Sequence, residues 1–73
     1  MEINFSAEII GERIRTAREK NKLTNAQLAK SLDVTHSSVS TWECGRAYPS
    51  TKNLFLLAQT LGVSAGYLLG LEK

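Results

Sequence analysis

The sequence predicts an all-α fold, a bundle of five short helices. Three observations predict it. Apolar residues recur three and four apart, and no segment alternates as a strand would. A serine or threonine stands just ahead of each apolar run, where a helix takes its N-cap. Pro49 is the single proline, and most of the five glycines fall where turns are expected.

Ser6 caps a first helix, and Glu8 in its first turn suits the helix dipole. Ile10, Ile14 and Ala17 follow at helical spacing, and the helix ends near Asn21. Thr24 opens a second helix; Gln27, three residues on, completes a capping-box pattern, and Leu28, Ala29 and Leu32 form the apolar stripe. Asp33 and Val34 interrupt. Thr35 caps a third helix that Gly45 ends, and residues 46–49 form a loop. Ser50 caps a fourth helix, whose Leu54, Leu57, Ala58 and Leu61 make an i, i+3, i+4, i+7 set, with Gly62 past its end. Ser64 begins a short fifth turn through Leu69.

A chain of 73 residues is one domain, with a core spanning about residues 7–70 and close to the lower size limit for self-sufficient packing. Cys44 has no partner for an internal bridge, so stability rests on helix packing, and a reducing compartment is expected. No apolar run approaches the roughly 18 residues of a membrane span. The net charge of +2 conceals an asymmetry. Residues 1–12 carry −3, residues 13–52 carry +5 and residues 53–73 sum to zero. A basic middle fits an anionic partner.

The stretch from Thr35 to Trp42 contains no charged residue although charge is abundant on both sides. On a helix at about 100° per residue, His36, Ser37, Ser40 and Thr41 share one arc of roughly 140°. Val39 and Trp42 occupy the opposite side and belong to the core. The outward face therefore consists of short neutral groups that donate and accept hydrogen bonds. A second short helix lies just upstream, joined by about three residues, and Ala29 is small where the two approach. This is a helix-turn-helix arrangement, in which the second helix enters the DNA major groove and reads base edges. An acidic residue on that face would meet phosphate repulsion, and long lysines would grip backbone.

These features, with "IGERIR" at the start, "VSTWE" followed by Gly45-Arg46, "YPS" before the fourth helix and "LGVSAGYLL" at the end, resemble the phage-repressor (Cro/Xre-type) helix-turn-helix family. The resemblance covers Ile10 to Gly70. It implies a lambda-repressor-like five-helix DNA-binding domain acting as a dimer on a palindromic operator. It places His36, Ser37, Ser40 and Thr41 at base-reading positions. It places Asn25, Thr35, Arg46, Tyr48 and Lys52 at phosphate-binding positions. Arg18 and Glu43 match an ion pair that links the first and third helices. Two positions depart from the pattern. Asp33 stands where glycine is common and is expected to adopt positive φ, and Cys44 stands where a polar residue is usual.

The apolar tail residues Tyr67, Leu68, Leu69 and Leu71 are expected to form a homodimer interface. Double-stranded DNA is the expected partner, in a bacterial cytosol or nucleoid, with no membrane and no cofactor. Metal binding is not expected of one histidine, one cysteine and no clustered carboxylates. Catalysis is not expected either: His36 and Ser37, adjacent on a helix, point in diverging directions. An alternative function is an antitoxin that binds a partner toxin and regulates its own synthesis. A third is the DNA-binding half of a longer repressor.

Overall fold

Among the described residues, all five helices begin on a hydroxyl and end through a left-handed residue. The computed structural model describes residues 5–72; residues 1–4 and Lys73, with their charges Glu2 and Lys73, lie outside the described residues. Its elements are α1 (Ala7–Lys20), α2 (Asn25–Leu32), α3 (His36–Glu43), α4 (Thr51–Leu61) and α5 (Ala65–Leu68). Ser6, Thr24, Thr35, Ser50 and Ser64 each accept a hydrogen bond from the backbone N–H three residues on, at 3.0–3.1 Å. Each such cap stabilises its helix by about 1 kcal/mol. At Thr24 the reciprocal bond also forms, the Thr24 N–H donating to Gln27 Oε1 at 2.8 Å.

The opposite ends close as uniformly. Lys22, Asp33, Gly45, Gly62 and Gly70 all have φ between 57° and 85°. In each case the next N–H returns to a carbonyl five residues back: Leu23 to Arg18, Val34 to Ala29, Arg46 to Thr41, Val63 to Ala58 and Leu71 to Gly66. This is the Schellman closure, and it satisfies carbonyls that a helix end otherwise leaves open. Three of the five positions are glycine. Asp33 has φ 57°, the positive value expected for the second turn.

With such abrupt ends, 8-residue helices reverse direction sharply and surround one core. Ile10, Ile14 and Ala17 of α1 meet Leu28, Ala29 and Leu32 of α2, Val39 and Trp42 of α3, Leu57 and Leu61 of α4 and Leu68 of α5. Burying each large side chain contributes about 1.5–3 kcal/mol. Leu68 is fully buried. That corrects its expected place at a dimer interface: a four-residue helix is too short for its apolar phase to be read, and its one inward position is Leu68.

Gly11 is also buried, but in the middle of α1 and not in a turn. A β-carbon there would collide with the Trp42 carbonyl and stand 2.8 Å from the Glu43 carbonyl. The missing side chain lets α1 lie directly on the C-terminal turn of α3. Arg13 closes the other end of the bundle. Its Nη1 donates to the carbonyls of Tyr67 at 3.2 Å and Glu72 at 2.7 Å, and its guanidinium covers the Tyr67 ring at 4.5 Å. No helix among the described residues is long and apolar enough to cross a membrane.

Candidate nucleic-acid interface

Val39 and Trp42 anchor α3 inward, and this sets what the helix presents outward. His36 and Ser37 are exposed, and Ser40 and Thr41 are half-buried on the same side. Among the described residues, the side chains of His36, Ser37 and Thr41 have no hydrogen-bond partner. Thr35 is exposed at the N-cap; its Oγ1 lies 3.1 Å from the Ser38 N–H and 3.0 Å from Ser38 Oγ. The outward arc of α3 is therefore a row of small neutral groups, mostly uncommitted.

Ser40 is the exception. The Asn25 side chain, at the first residue of α2, donates from Nδ2 to Ser40 Oγ at 3.1 Å. Asn25 Oδ1 is buried and has no partner among the described residues. Instead of standing free for a phosphate, the Asn25 amide is turned onto the neighbouring helix.

Glu43, at the far end of α3, is 4% exposed at its side chain and held by Arg18. Arg18 Nε donates to Oε2 at 2.7 Å, Nη2 donates to Oε1 at 3.1 Å, and Nη1 donates to the Leu23 carbonyl at 3.0 Å. The hydrogen bond to Glu43 holds the Arg18 pKa above its ordinary value, against the opposing effect of burial. Arg15 reaches the same carboxylate from the solvent side, Nε to Oε1 at 3.4 Å, with half its side chain exposed. The anion is thus met by two cations, and positive charge is left over at the surface where α1 and α3 meet. Sequence reasoning passed over Arg15. Its spacing three residues before Arg18 was the available signal.

The loop after α3 carries exposed Arg46 and Tyr48, and Lys52 is exposed in the first turn of α4. Tyr48 is not free-standing: the Phe5 ring stacks on it, with centroids 5.2 Å apart and planes 2° from parallel. Gly45 brings the start of the loop against α1, where a β-carbon would lie 3.0 Å from Glu8 Cα. The N-terminal side of α1 therefore braces the loop. Phe5 was not anticipated from the sequence, since its partner lies 43 positions away.

Of the apolar tail, Leu71 is 80% exposed, while Tyr67 and Leu69 are half-buried against the core. A separate apolar groove of about 430 Å³ runs between α4 and α5, lined mainly by Leu54, Phe55, Ala58 and Val63; Phe55 is 61% exposed. No group of three or more metal-ligating side chains is assembled among the described residues.

Two short helices joined by a three-residue turn, with the second turned polar face outward beside surplus positive charge, define a helix-turn-helix protein. The family model described as Helix-turn-helix matches residues 14–68, and the chain belongs to that family. It is 48% identical over 60 residues to the HTH-type transcriptional regulator DicA of Escherichia coli (strain K12), covering 82% of this chain and 44% of DicA. It is 38% identical over 65 residues to Repressor protein C2 of Salmonella phage P22, covering 89% of this chain and 30% of that protein. A crystal structure of the P22 c2 repressor in complex with a synthetic operator matches with a TM-score of 0.82 at 38% identity, covering 86% of this chain and 96% of that one. The chain spans less than half the length of the two curated relatives.

Proposed function

We propose that this chain binds double-stranded DNA sequence-specifically and regulates transcription as a phage-type repressor. The observation that carries this is the outward arc of α3, uncharged and mostly without internal partners, on a helix whose other face is locked into the core. His36, Ser37, Ser40 and Thr41 read base edges in the major groove. Thr35, Arg46, Tyr48 and Lys52 hold phosphates, joined by Arg15 and by the N-terminal turn of α2 at Asn25. The basic middle of the chain supplies salt-dependent affinity by counterion release.

The chain acts as a homodimer, with two copies of α3 in successive major grooves about 34 Å apart on a palindromic operator. Occupancy excludes polymerase. Leu71 and the groove around Phe55 support the pairing: residues 53–71 hold no charge, so two such faces meet without burying an ion. The protein works in the cytosol or nucleoid and carries out no catalysis.

Selection of bound duplexes from a random pool tests the proposal. A palindromic motif with half-sites one helical turn apart is expected. Ser40→Ala and Thr41→Ala change the selected bases. Arg46→Ala and Lys52→Ala weaken every duplex alike, and each lowers the salt slope by about 1. Equal effects of all four on specific and random duplex would refute the reading face.

A further inference from the structure

We infer, granted the DNA-binding role proposed above, that Asn25 is a positioning residue that biases the hydrogen-bond polarity of Ser40, so that Ser40 faces the groove chiefly as a donor. A serine hydroxyl has one proton and two lone pairs, and alone it serves as donor or acceptor. An amide NH2 only donates. With Asn25 Nδ2 at 3.1 Å, one lone pair of Ser40 is occupied, and one lone pair and the proton are left over. A serine inside a helix often spends that proton on the carbonyl four residues back. Ser31 does so here, donating to the Gln27 carbonyl at 3.1 Å. Ser40 makes no such bond among the described residues, so its proton remains available to a partner outside the chain.

The orientation of the amide follows from what the reverse would cost. The atom of Asn25 facing away from Ser40 is buried and unpartnered. As an oxygen it leaves one acceptor unsatisfied. As an NH2 it would leave two donors unsatisfied, and buried orphan donors are the rarer and costlier case. The oxygen therefore occupies the blind side, and the NH2 faces Ser40.

A donor in the major groove pairs with guanine N7 or O6, adenine N7 or thymine O4. Cytosine offers only its N4 amine, itself a donor. Accepting from cytosine through the remaining lone pair would leave the Ser40 proton without a partner, so Ser40 disfavours cytosine at the base it faces, although serine by itself tolerates any base. His36, Ser37 and Thr41, with no such internal partner, carry no fixed polarity of this kind. Asn25 shapes specificity without touching DNA through the bond that does so.

The decisive variant is Asn25→Asp. A carboxylate has nearly the same shape, and its attraction to the helix N-terminus offsets part of the cost of enclosing its unpartnered oxygen; a thermal melt checks that the variant is folded. The carboxylate only accepts. It takes the Ser40 proton and leaves lone pairs to face the groove. The 73-residue chain, Asn25→Asp, Asn25→Ala and Ser40→Ala are each run through selection from the same random duplex pool, followed by affinity ratios among the four bases at each enriched position. In the unmodified chain, one position per half-site should disfavour cytosine by roughly tenfold. Ser40→Ala should flatten that position alone, Asn25→Ala should make it tolerate cytosine, and Asn25→Asp should reverse it to prefer cytosine. Ratios cancel any uniform loss of affinity from the added charge. If Ser40→Ala flattens the position while both Asn25 variants leave it unchanged, the role of Asn25 is overturned and DNA reading stands. If the unmodified chain enriches no sequence, DNA reading itself fails.

Discussion

Arg18 grips Glu43 with two prongs of one guanidinium, Nε to Oε2 at 2.7 Å and Nη2 to Oε1 at 3.1 Å, and so ties the middle of α1 to the last residue of α3. The carboxylate is almost wholly enclosed. Removing Glu43 leaves Arg18 without its counter-ion, and removing Arg18 leaves the enclosed carboxylate only the longer contact to Arg15. Arg18→Ala should lower unfolding free energy by about 3 kcal/mol, read from urea melts. Glu43→Gln should cost less, since an amide still accepts one of the two bonds. The Arg18 pKa is raised, so its stabilising effect is present at all lower pH and is lost only as pH climbs through that raised value into strong alkali. Across the neutral range the gap between wild type and Arg18→Ala should therefore stay constant with pH as far as Arg18 ionisation is concerned.

Gly11 tests the same junction sterically. Alanine is normally the better helix residue by about 1 kcal/mol. Here its methyl would meet two main-chain carbonyls of α3, and backbone cannot move aside as a side chain can. Gly11→Ala should destabilise by about 2–3 kcal/mol despite the propensity gain. A rise in melting temperature would show that α1 and α3 stand further apart.

Lys22 and Asp33 hold the left-handed conformation without being glycine, both at φ 57°. A non-glycine residue there is strained by about 1–2 kcal/mol, less for Asp, whose short polar side chain tolerates the conformation. Lys22→Gly and Asp33→Gly should each raise the melting temperature, the lysine change by more. Differential scanning calorimetry of both variants checks the order.

Leu68 and Phe55 separate folding from association. Leu68→Ala should cost about 2–5 kcal/mol by opening a cavity. Phe55→Lys, at an exposed site, should leave the melting temperature of the monomer nearly unchanged and shift sedimentation equilibrium toward monomer. A dimer unaffected by Phe55→Lys would place the contact elsewhere.

Local features of this fold were legible in the residue order. Ser6, Thr24, Thr35, Ser50 and Ser64 announce helix starts because a capping hydroxyl acts within three residues. Gly45 and Gly62 announce ends for the same local reason. Lys22 does not, since nothing about lysine signals a left-handed backbone. Gly11 was legible as a glycine but not as a close approach, because the carbonyls it admits lie 31 and 32 positions later. The outward arc of α3 followed from helical phase alone. The Asn25–Ser40 bond and the Phe5–Tyr48 stack did not, because each depends on how two elements dock.

Trp42 is the only tryptophan and is 6% exposed, its side chain in the core that α1 and α3 share, on the side of α3 opposite the outward arc, and its main-chain carbonyl against α1 at Gly11. Its ultraviolet emission is consequently a built-in gauge of whether α1 and α3 are seated together. A blue-shifted spectrum marks the intact junction, and a red shift marks its opening. Because the indole lies behind the helix and away from its polar row, that signal follows folding and is blind to whatever docks in front.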